Sequence, residues 1–199
     1  MKRRFLLIMI CAALMCFSGC AAEMPAEAVD GTPWSEDWIT LGQTLGVEEP
    51  GHGLTLRDNK AARQMYYASW SIGEAQPYTN AEGNETNLYD AQLVLLLVYS
   101  DKAESAQANV NEWLDLAKNS YAVTDTSQQT YNGQEFTVLT YTHESDTSPF
   151  AGGVSAFSVY GPWAISAEFT CQDSFEGDAG EILADVLEHC HYAVYDIKS

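Results

Sequence analysis

The sequence predicts an α+β fold, a largely antiparallel β-sheet flanked by amphipathic helices. Three observations predict it. Alternating apolar and polar runs recur along the chain and are joined by short turn signals. One run, residues 91–99, is almost continuously apolar. Two segments, 101–121 and the stretch from Asp178 onward, carry helical periodicity. Hairpin-linked runs pair antiparallel, and amphipathic helices bury their stripes against sheet faces.

Residues 34–47 hold Trp38, Ile39, Leu41 and Leu45 and predict a short helix or irregular lead-in. Residues 51–58 alternate through Leu54 and Leu56, a short strand, with Asp58-Asn59 suited to a turn. Residues 65–74 place Tyr66, Ala68, Trp70 and Ile72 on one side and Tyr67, Ser69 and Ser71 on the other, the pattern of a half-buried strand. Residues 76–87 are polar and rich in turn formers, which predicts a loop. Run 91–99 is short, apolar and well bounded, as expected of a central strand covered on both faces.

In 101–121, Val110, Trp113, Leu114, Ala117 and Tyr121 share one helical face, and Ser100 or Asp101 can cap its start. Asn132-Gly133 lies between two alternating runs, 123–131 and 135–143. Both turn residues tolerate positive φ, so this predicts a hairpin. Runs 154–160 and 163–169 meet at Gly161-Pro162. The last helix opens on Asp178 and Glu181 at capping-box spacing and carries a stripe of Ala179, Ile182, Leu183, Val186 and Cys190.

The 199 residues include 28 acidic and 9 basic side chains, a net charge of -19, with 46% hydrophobic and 12% aromatic content. That apolar content is too high for a disordered chain. The negative charge opposes nucleic-acid binding, which needs basic patches for phosphates. Beyond the N-terminus no run reaches the roughly 18 apolar residues that a membrane span requires.

The N-terminus has the layout of a secretory signal: Lys2, Arg3 and Arg4, then an uncharged apolar run over 5–17, then Ser18, Gly19 and Cys20. The tail Phe17-Ser18-Gly19-Cys20 resembles the lipobox of bacterial lipoproteins, with Phe17 where Leu is usual. The resemblance implies cleavage before Cys20 and lipidation of its thiol. Residues 1–19 are then the signal peptide. Residues 20–33 are the lipidated Cys and a flexible tether reaching at most about 40 Å. Residues 34–199 form one domain. Removing the three leader cations leaves 6 basic against 28 acidic residues, a net charge of -22. Two or three acyl chains anchor stably where one does not, at ~0.8 kcal/mol per buried CH₂. The expected location is the extracytoplasmic face of the cell membrane, reached through the lipid anchor rather than through anionic headgroups.

The element order over about 53–192 also resembles the PsbP-like fold, an antiparallel sheet sandwiched by helices. The parts that carry the likeness are run 91–99, helix 101–121, the Asn132-Gly133 hairpin, the strand through Trp163 and the C-terminal helix. The likeness implies scaffold or binding roles more than chemistry.

A search for catalytic motifs finds no Gly-x-Ser-x-Gly, Walker or Gly-x-Gly-x-x-Gly pattern. Gly51-His52-Gly53 and Gly152-Gly153 read as turn flexibility. His189 and His191, two apart at a helix end, read as surface or capping residues. No metal site is expected beyond calcium, invited by the acidic segments 80–85 and 173–181. The first lacks EF-hand spacing, and the second suits a solvated helix N-terminus. Once Cys11 and Cys16 leave with the signal and Cys20 is acylated, Cys171 and Cys190 remain as a candidate disulfide, with two buried thiols as the alternative.

Aromatics concentrate around 66–89. Tyr78, Tyr89, Trp34 and Trp70 form the candidate recognition surface, with loop 76–90 as its variable part. The functional expectation is a non-catalytic binding or scaffold role toward an unknown protein or small-molecule partner. The alternatives are a small-ligand or cation-binding lipoprotein and, behind both, an extracytoplasmic enzyme.

Overall fold

The computed structural model describes residues 50–62, 65–80, 83–100, 102–143 and 148–189. The strands are β1 (Thr55–Ala62), β2 (Met65–Ile72), β3 (Gln76–Thr79), β4 (Glu85–Leu88), β5 (Ala91–Tyr99), β6 (Ala122–Tyr131), β7 (Gln134–Thr142), β8 (Gly152–Tyr160) and β9 (Trp163–Cys171). The helices are α1 (Ala103–Ser120) and α2 (Ala179–Glu188). Seven strands form one sheet in the order β1-β2-β5-β9-β8-β7-β6, with β3 and β4 paired separately. Every pairing is antiparallel. The α+β class with a largely antiparallel sheet is thus the observed architecture among the described residues.

The period of two along each strand divides the core. On one face Trp70, Leu93, Leu95, Phe136, Val154, Ile165 and Phe169 pack with Ile182, Leu183, Val186 and Leu187 of α2. On the other, Leu139, Phe157 and Ala164 meet Ala106, Val110 and Ala117 of α1. Both helices lie over β8 and β9, so the centre of the sheet is enclosed from two sides. Each large side chain buried this way contributes roughly 1.5–3 kcal/mol.

Several expectations hold in detail. Asn132 (φ 45) and Gly133 (φ 79) make the β6–β7 turn, the positive-φ pair that matches strand twist. Asp178 caps α2 by accepting a hydrogen bond from the Glu181 N–H at 2.9 Å. The Gly51-His52-Gly53 triplet is a run of three positive-φ residues. It carries His52 to Asp185 of α2 (Nε2 to Oδ2 2.6 Å), which fastens the residues before β1 to that helix.

Other expectations are corrected. Segment 76–87 contains the β3–β4 hairpin rather than a loop alone. Its side chains are exposed or half-buried, so it lacks the apolar alternation that marks a packed strand. Asp58-Asn59 does not turn; β1 runs through it as an edge strand with a bulge between Leu56 and Asp58. β5 is covered unequally on its two faces: Leu93, Leu95 and Leu97 are buried, while on the other face Val94 and Leu96 are half-buried and Val98 packs against the α1-side core. Lys102, not Ser100, stands at the α1 N-cap and gives no side-chain cap; Asp101 is outside the described residues. The Gly152-Gly153 pair serves close packing rather than a turn. A Cβ on Gly152 would strike the Tyr141 carbonyl, and one on Gly153 the Phe169 carbonyl.

The candidate Cys171–Cys190 bridge falls partly outside the described residues, because Cys190 lies beyond them. Cys171 is a half-buried free thiol, and burial pushes its pKa up. Denaturing alkylation without reductant should label Cys171, as read by mass spectrometry; a protected Cys171 would show the bridge.

Candidate functional site

The end of the sheet where β2, β7 and β9 finish gathers the polar side chains. Two groups stand out there. One is a hydrogen-bonded cluster around Glu168; the other is the surface beside the β3–β4 hairpin.

Glu168 is the single carboxylate within the apolar run of β9. Its register neighbours are Ser155 on β8 and Val94 on β5. Three hydroxyls donate to its Oε1: Tyr141 Oη at 2.5 Å, Tyr121 Oη at 3.0 Å and Ser155 Oγ at 3.3 Å. Charge-assisted bonds of this kind are stronger than neutral ones. Tyr141 is level with Gly153 on β8, and the missing side chain there opens the slot its ring needs. A Cβ on Gly153 would stand 2.9 Å from Tyr141 Oη. Tyr121, at the C-cap of α1, stacks on Tyr141 with centroids 4.1 Å apart. His143 meets both rings edge-on at 5.0 and 5.4 Å.

Burial, then the charge of Glu168 and the neighbouring Tyr121, hold the Tyr141 phenol well above its ordinary pKa, so it remains a donor. Burial lowers the His143 pKa, against a smaller opposing pull from Glu168. The cluster ties α1, β7, β8 and β9 through one carboxylate oxygen. Its chemistry is that of a brace, with the donors directed inward.

The expected recognition surface is only partly assembled. Trp70 is 1% exposed, because its place on β2 points it into the α2-side core, and it is removed from the surface set. Trp34 and Cys20 lie outside the described residues. Tyr78 on β3 and Tyr89 after β4 are half-buried. Tyr89 carries the guanidinium of Arg57 4.6 Å above its ring centroid, and its carbonyl accepts from Gln172 Nε2 at 2.8 Å.

In segment 80–85, Asn80 Oδ1 accepts from the Asn84 N–H at 2.9 Å, which employs that oxygen in the hairpin turn. Among the described residues, no three His, Cys, Asp or Glu side chains converge as a metal site would require. His189 caps α2 as expected, its Nδ1 lying 2.8 Å from the Asp185 carbonyl oxygen; His191 is outside the described residues.

Sequence reasoning missed the Glu168 cluster and Arg57. A lone carboxylate in an apolar strand was the available signal for the first. The second depends on a bulge that leaves no mark in residue spacing.

No family profile matches the chain, and no curated protein does. Among solved structures, the extracellular domain of PknH from Mycobacterium tuberculosis is similar over 72% of this chain and 67% of that one, at 17% identity and a TM-score of 0.36.

Tyr141→Phe should cost about 1–3 kcal/mol by stripping a donor from a half-buried carboxylate, and Gly153→Ala more, by crowding a backbone carbonyl and Tyr141 together. Both read as a Tm lower by several degrees in thermal unfolding. His143, with its folded pKa below the unfolded value near 6.5, takes up its proton more readily in the unfolded chain. Its contribution should therefore fall as pH drops below about 6.5 and level off below the folded pKa. The loss should be smaller in His143→Phe, as measured by denaturant unfolding across that range.

Proposed function

We propose that this chain is an extracytoplasmic lipoprotein, acylated at Cys20 and held at the outer face of the cell membrane, whose PsbP-like sandwich domain has a non-catalytic binding or scaffold role. The observation that carries this reading is the Ser18-Gly19-Cys20 tail directly after a basic start and a 5–17 apolar run. The thiol becomes the first mature atom able to hold a diacylglycerol thioether, and several acyl chains keep a strongly acidic body at a surface that repels it.

Support for the binding role comes from the β3–β4 hairpin, which stands apart from the main sheet and bears exposed and half-buried polar residues. Recognition residues on a rigid sheet commonly lie on such projections. Exposed Gln76, Thr79, Glu85 and Asn87 offer hydrogen-bonding groups without a competing apolar core.

Cys20→Ser should release the protein from the membrane fraction and abolish incorporation of labelled fatty acid. Retention in the membrane fraction with unchanged mass would overturn the anchor.

A further inference from the structure

Both edges of the sheet carry a bulge, and the one on β1 re-aims a cation. Arg57 has no cross-strand partner, because the register passes from Leu56 opposite Trp70 to Asp58 opposite Ser69. A bulge of this kind redirects its extra side chain. Arg57 Nε donates to Ser71 Oγ at 2.5 Å, and Ser71 is 1% exposed. The guanidinium carbon lies 4.6 Å above the Tyr89 ring. Two braces therefore fix the plane of an exposed guanidinium. In a chain with 28 acidic residues, Arg57 nevertheless has, among the described residues, no carboxylate at ion-pair distance and no hydrogen-bond partner for its two terminal nitrogens.

Beside Ser71 on the same sheet face are Gln92, then Val94 opposite Ser69, then Leu96 opposite Tyr67. All three β5 side chains are half-buried, on the part of the sheet that α1 does not overlie. The rows are about 6.6 Å apart at strand rise. A fixed cation thus stands at the head of a short shelf whose apolar members are Val94 and Leu96, bordered on β9 by Glu168, whose Oε1 is turned to Tyr121, Tyr141 and Ser155.

We propose that Arg57 anchors a binding site for small organic carboxylates, with the acid on the guanidinium fork and an apolar tail along Val94 and Leu96. A planar fork matches a carboxylate through two parallel hydrogen bonds, which an ammonium does not reproduce. The shelf supplies contact area for a tail of a few carbons, and the two braces lower the ordering cost of the arginine. This inference rests on the binding role proposed above and is independent of the anchor: its failure leaves the Cys20→Ser fractionation result standing.

The test uses residues 20–199 with Cys20→Ser and follows the Arg57 Nε–H resonance by NMR during titration with hexanoate, acetate and hexanol. Hexanoate should shift it saturably with a dissociation constant of ~1 mM or below, acetate more weakly and hexanol not at all. Arg57→Gln, checked for an unchanged Tm and followed through the Val94 and Leu96 methyl resonances, should bind hexanoate about tenfold more weakly or worse. Arg57→Lys should fall between the two. Ser71→Ala should weaken binding while keeping the cation, which marks Ser71 as a positioning residue. Absence of a saturable hexanoate shift, an equal response to hexanol, or undiminished binding by Arg57→Gln would each overturn the site.

Discussion

The pairing of β5 with β9 holds the two halves of this molecule together. β1, β2 and β5 come from the first half of the chain; β6 to β9 come from the second. Only the β5–β9 register, from Ala91 opposite Cys171 to Tyr99 opposite Trp163, joins them into one sheet. Its partners are 64 to 80 residues apart in sequence, so the chain closes large loops before this contact forms. The register also sets which face each half presents. A slip of one residue would turn Leu93, Leu95 and Leu97 away from the core that Ile165 and Phe169 share with α2. Tyr99 and Trp163 close the far end of the seam edge-to-face at 5.1 Å.

Elements with a local cause were legible in the sequence. Asn132-Gly133 specifies its turn through backbone sterics, Asp178 its cap through one hydrogen bond, and β2 and β7 to β9 through alternation against a buried face. Elements whose cause lies elsewhere in the fold were not. The β3–β4 hairpin buries too little to imprint a pattern. β1 continues through Asp58-Asn59 because β2 offers it hydrogen-bond partners, a tertiary effect that overrides turn preference. Trp70 was placed on the surface because aromatic identity carries no information about which face of a strand is covered.

The same distinction holds at the polar end of the sheet. Tyr121, Tyr141, Ser155 and Glu168 meet across separations of 13 to 47 residues, and they meet because Gly153 leaves space for a ring. A glycine there and a carboxylate one strand away have no meaning until β7, β8 and β9 are laid side by side. Once they are, the carboxylate organises its surroundings. Three hydroxyls converge on one oxygen, the phenol is kept protonated, and a histidine is packed against the rings. The cluster stiffens the end of the sheet from which the β3–β4 hairpin projects.

The paired irregularities at the two flanks have a consequence for crowded settings. On β1 the ladder breaks between Leu56 and Asp58; on β6 it breaks between Val123 and Asp125. An incoming strand seeking to extend the sheet meets a kinked backbone and a charged side chain on either side. Copies packed densely against one another thus lack a straight template for fusing laterally, and the architecture discourages accretion at both of its margins.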